Sequence, residues 1–74
     1  MARIDRYHEA QAWLNDWLAC VRRGSSYARR RIKEAAVEQR HNLESIKRYG
    51  HSGWCNVAEY ERSVKMIENA ANEL

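Results

Sequence analysis

Apolar residues return every three or four positions along most of this chain, in three separate stretches. In the first, Tyr7, Ala10, Leu14, Trp17 and Val21 keep that step, with Leu18 beside them. Such spacing lines up one face of a helix and predicts a first helix over residues 5–23. Asp5 is the expected N-cap, and Glu9 puts negative charge in the first turn. Arg22 and Arg23 suit the negative end of the helix dipole, and Gly24 suits the position just beyond it. Trp13 and Cys20, seven apart, form a flanking stripe. That stripe either widens the core face or meets a second subunit.

A Gly-Ser-Ser turn leads into the longest stretch, predicted as a helix over residues 26–49 with Ser25 or Ser26 as N-cap. The short turn implies an antiparallel hairpin. Ile32, Ala36, Gln39, Leu43 and Ile46 continue the apolar step, with Ala35 alongside. Gln39 is the polar exception. It either fixes register at a helix seam or lies at a wet edge. Gly50 is a natural left-handed stop. Glu34 is placed to offset Arg30, and Glu44 to offset both Arg40 and Arg48, each one turn away. About 24 residues make a rod of roughly 36 Å. A rod longer than its neighbours suggests an overhang that a second copy covers.

The third stretch holds Val57, Tyr60, Val64, Ile67, Ala71 and Leu74 on one line, a helix over residues 57–72. Asn56 and Glu59 resemble a capping box, with Cys55 and Tyr60 in the positions of a hydrophobic staple. No cap follows the end of this helix, which is expected to fray. The fold class that follows is all-α: a long antiparallel helical hairpin plus a third helix, completed as a homodimeric helical bundle.

Composition supports that reading and explains the dimer. Leu, Ile and Val occur four times each, 12 of 74 residues, and Phe is absent. That falls below the roughly 20% that accompanies disorder at high charge. The net charge is only +3, and three Trp and four Tyr add large apolar area. A partner subunit would complete so small a core. There is no Pro to interrupt a helix. No apolar run reaches membrane-spanning length and no leader is visible, so a cytoplasmic protein with Cys20 and Cys55 as thiols is expected.

Charge changes the picture at the hairpin turn. Residues 25–50 carry seven basic and three acidic groups, whereas residues 51–74 carry two and four. Arg22, Arg23, Arg29, Arg30, Arg31 and Lys33 cluster around the turn. Those on the second helix sit where the dipole is already positive, which costs a few tenths of a kcal/mol or more per group. This basic end is read as a surface for an acidic partner, or as a solvated turn. Clustered arginine with Tyr27 between is also compatible with phosphate contact. No recognisable nucleic-acid-binding module accompanies it.

Other chemistry is thin. His51 and Cys55 are four apart, with neither a second ligand pair for a metal nor an orienting group for a nucleophile. No enzyme, cofactor or metal is expected. Trp54, flanked by Tyr49 and His51 in a Gly-bounded connection, either folds onto the bundle end or is presented to a partner. Trp, Tyr and Arg dominate binding hot spots, and this chain has all three. The expected partner-binding set is therefore Arg22, Arg23, Arg29, Arg30, Arg31, Lys33, Tyr49, His51 and Trp54. The expected dimer seam is Trp13, Trp17, Cys20 and Gln39.

Three features together resemble small phage early proteins that disable host regulators. They are the Tyr7-His8-Glu9-Ala10 to Trp17-Leu18 helix, the arginine-rich turn and the Gly50-His51-Ser52-Gly53-Trp54 connection. The chain is most similar to the quorum-sensing anti-activator of Pseudomonas phages. The resemblance implies a small helical dimer that binds a LuxR-type transcription factor in the host cytoplasm, and implies a pilus-assembly ATPase as a further target. It transfers no binding residue. The residues alone point to a helical, protein-binding chain. A small basic nucleic-acid-binding regulator using residues 22–33 and a self-assembling structural protein are the alternatives.

Overall fold

The computed structural model describes residues 3–50 and 56–74. Helix α1 runs Tyr7–Arg22, α2 Ser26–Tyr49 and α3 Val57–Asn72. The chain is all-α, with no strand among the described residues. His51, Trp54 and Cys55 lie outside the described residues, and with them the Cys55–Tyr60 staple and the question of what Trp54 does. Among the described residues no helix is long and apolar enough to cross a membrane.

Local signals set most helix ends. The Ser25 hydroxyl accepts from the Ala28 N–H at 3.1 Å and starts α2. Gly50 ends it in the left-handed region, at φ 67°, with its N–H on the Ile46 carbonyl. Between α1 and α2, Gly24 takes φ 95°. Its N–H bonds the Val21 carbonyl at 2.9 Å, and the Ser25 N–H bonds the Cys20 carbonyl at 3.1 Å. These two bonds are a Schellman closure, which turns the chain straight back.

The start of α1 differs from expectation. Arg6, not Asp5, holds the N-cap position, and it makes no side-chain cap bond. Asp5 is buried and engaged by Arg3 at 2.7 Å. The free Tyr7 N–H is taken instead by the Glu59 carboxylate of α3 at 2.9 Å. That contact also halves the expected capping box. Asn56 accepts from the Glu59 N–H at 3.0 Å, but the Glu59 carboxylate points to α1. Arg62 covers the Tyr7 ring from the same helix, 4.6 Å from its centroid. At the far end of α3, Arg29 donates to the Leu74 carbonyl at 2.6 Å.

Packing joins the three helices in two clusters. Leu14, Ile32, Ala35, Ala36 and Ile67 form one, and Leu43, Ile46, Tyr60 and Val64 the other. Ile4 touches both. The α3 stripe is shifted from its expected line. Val57 is exposed, while Ser63 is fully buried and donates its hydroxyl to the Glu59 carbonyl at 3.2 Å. Gln39 accepts the Tyr60 hydroxyl at 2.5 Å, which gives a buried phenol its partner inside one chain.

The expected overhang of α2 is absent. Its antiparallel partner α3 follows it from Leu74 beside Arg29, through Glu68 beside Arg40, to Glu61 beside Lys47. Arg40 grips Glu68 with two parallel bonds of 2.9 and 2.7 Å. Arg40 also reaches Glu44 at 3.5 Å, whereas Arg30–Glu34 and Glu44–Arg48 are not paired. The length of α2 thus needs no second copy to cover it.

Two predictions follow from these contacts. Glu59→Ala removes a cap that two helices share, and should cost about 1 kcal/mol in urea denaturation. A loss of only a few tenths would show that water satisfies the Tyr7 N–H equally well. The second concerns acid. The hydrogen bond and charge of Arg40 hold the Glu68 carboxyl below its ordinary value of 4.5, against the opposing push of desolvation. Lys47, by hydrogen bond and charge, does the same to Glu61. A carboxyl lowered in the folded state stabilises the fold above its ordinary value and loses that contribution as pH falls through the folded one. The thermal midpoint should therefore fall as pH drops below about 4.5. Glu68→Gln should flatten part of that fall, and an unchanged acid limb would remove the clasp from the account.

Candidate functional site

An edge of stacked rings and guanidinium groups runs along the α1–α2 hairpin. Trp13 and Trp17, one turn apart on α1, meet edge to face with centroids 6.3 Å apart. Trp17 lies against Tyr27 of α2 at 5.7 Å. The Arg30 guanidinium covers the Tyr27 ring at 5.5 Å from its centroid, and Arg31 covers Trp13 at 5.9 Å. Arg31 also pairs with Glu38 at 3.5 Å.

The hairpin itself causes this arrangement. Gly24 reverses the chain tightly, so residues equally far from the turn face each other. Trp17 and Tyr27 lie equally far on either side of Arg22, as do Trp13 and Arg31. The expected partner-binding set omitted Tyr27, although counting outward from the turn would have paired it with Trp17. Offset or tilted ring pairs add about 0.5–1.5 kcal/mol beyond buried area, and ring–guanidinium pairs about 0.5–1 kcal/mol at exposed sites.

The six cations of the turn are not one knob. Arg31 faces Trp13, Arg30 faces Tyr27 and Arg29 turns the other way to the end of α3. Arg22, Arg23 and Lys33 are exposed and make no ion pair among the described residues. No acidic residue stands in the first turn of α2, so the dipole and these cations add. Tyr49 lies at the other end of α2, about 27 Å along the axis from Arg31, and is 74% exposed. The fold separates it from the arginines.

The seam residues have contacts within the chain. Trp13 and Trp17 are half-buried and pack on the Leu14–Ile32–Ile67 cluster. Cys20 is a half-buried free thiol. Gln39 serves Tyr60. Tyr27, against Trp17 on the hairpin edge, is 56% exposed.

The shifted carboxyls are Glu61 and Glu68, both pushed away from neutrality by their cation partners, and Arg40 moves further upward. That is the sign of structural ion pairing, not of a group poised to exchange protons at neutral pH. Among the described residues no three His, Cys, Asp or Glu side chains gather as a metal site would need. Compared with protein families, characterised proteins and solved structures, the chain has no match.

Tyr27→Ala tests how much this edge supports the fold. Its ring is more than half in water, so the change should cost no more than about 1.5 kcal/mol by denaturation, with the helical circular dichroism intact. A larger loss would make Tyr27 a core residue.

Proposed function

We propose that this chain is a non-enzymatic protein that binds and inhibits a host regulatory protein. Following the resemblance, the target is a LuxR-type quorum-sensing activator, and a pilus-assembly ATPase is a further target of the same binding kind. The observation that carries the reading is the Trp13–Trp17–Tyr27 edge with Arg30 and Arg31 laid on its rings. It presents the three side-chain types that dominate protein interfaces, held on a helical hairpin that loses little freedom on binding.

A small nucleic-acid-binding regulator is the second reading. It is favoured by Arg22, Arg23 and Lys33, exposed at the same end without carboxylate partners. Phosphate binding through them would weaken steeply with salt, whereas an aromatic-anchored protein interface would not.

The test uses the tagged chain, nuclease treatment and a purified LuxR-type activator. The activator should co-elute, and its promoter output should fall when the chain is co-expressed. Tyr27→Ala should weaken capture by about 30-fold, the loss expected at a hot spot, at unchanged helix content. Failure to capture the activator would remove that target. Recovery of nucleic acid alone, lost on nuclease treatment, would select the second reading.

A further inference from the structure

Two ring–guanidinium pairs stand side by side at the hairpin, and they differ in one respect. Arg31 lies over Trp13 and also holds the Glu38 carboxylate at 3.5 Å. Arg30 lies over Tyr27 and holds no carboxylate. Glu34, one turn further on, shares its face of the helix but does not pair with it. A guanidinium stacked on a ring keeps its N–H edge free in the plane, shaped for the two oxygens of a carboxylate. On Arg31, one oxygen of Glu38 approaches to 3.5 Å. Arg30 is exposed and has no carboxylate partner among the described residues.

Beside Arg30 a shallow groove runs along the outer face of α2, lined by the cations Arg29, Arg30 and Lys33, by Ser26 and Val37, and by two carboxylates, Glu34 and Glu38, the latter paired with Arg31. Val37 is 72% exposed in it. The stems of Arg29 and Lys33 add apolar wall under charged tips. An apolar side chain therefore fits next to a carboxylate, about two turns from Arg30 to Val37.

We infer that Arg30 on Tyr27 is the docking point for a partner's acidic segment, whose carboxylate takes the Arg30 fork while a neighbouring apolar side chain covers Val37. This rests on the protein-binding reading above. Charge complementarity names the occupant. The α3 carboxylates of a second copy are poor candidates, because Glu59, Glu61 and Glu68 are already engaged within the chain. Stacking of a nucleic-acid base on Tyr27 would have to compete with Arg30 and Trp17, which already lie against that ring.

The test is selection from a random 12-residue peptide library on the immobilised full chain. Enriched peptides should carry Asp or Glu beside an aliphatic or aromatic residue. An enriched peptide should bind the Arg30→Gln variant at least tenfold more weakly and the Glu34→Gln variant more tightly. Circular dichroism should be unchanged in both. Selection without acidic enrichment, no selection at all, or equal binding by the Arg30→Gln variant would overturn the inference. Displacement of the peptide by a 15-nucleotide oligothymidylate with steep salt dependence would overturn it in favour of nucleic acid. Activator capture that is lost with Tyr27→Ala but kept with Arg30→Gln would defeat this inference and leave the functional reading standing. Capture lost with neither would defeat both.

Discussion

Leu14, Ile32 and Ile67, one from each helix, close over one another with at most 4% of their surface left to water. Burying such side chains stabilises by about 1.5–3 kcal/mol each, and the chain has few of them. The rest of the fold is arranged to bring these three together. The Gly24 turn lays α1 back along α2, and the α2–α3 ion pairs hold α3 in register. Alanines at 28, 35 and 36 are buried between the helices. Without that junction each helix would be a marginal rod, since short isolated helices are barely stable in water.

Charge is divided according to the same geometry. The acids of α3 face the cations on one flank of α2, and Arg40–Glu68 and Lys47–Glu61 are consumed in holding the helices together. On the other flank α2 meets α1, which offers tryptophans instead of carboxylates. Arg31 therefore lies on Trp13, while Arg30 lies on Tyr27 of α2 itself. The molecule has one side neutralised by ion pairs and another that is arginine-rich and aromatic. The functional proposal lives on the second side.

Polar groups that looked like interface signals divide the same way. Gln39 is explained by the Tyr60 hydroxyl, and the α2 length by the full run of α3 beside it. Both had pointed toward a second copy, and both are met within one chain. Trp13 and Trp17 keep a double part: one flank packs on the core and the other forms the exposed edge.

The helices, their order and most of their ends were legible in the sequence, because periodicity and caps act over three or four residues. Ser25, Gly24, Gly50 and Asn56 each do locally what their chemistry suggests. The exceptions are contacts between residues far apart in the chain. Asp5 looked like a cap, but Glu59, 52 positions from Tyr7, holds that N–H instead. Val57 looked like core and Ser63 did not, because the rotation of α3 is set by what α1 and α2 present to it. The basic cluster was plain as a count of charges. Only the packed hairpin decided that Arg29, Arg30 and Arg31 point three ways, since successive residues on a helix are turned by about 100° and each meets a different neighbour.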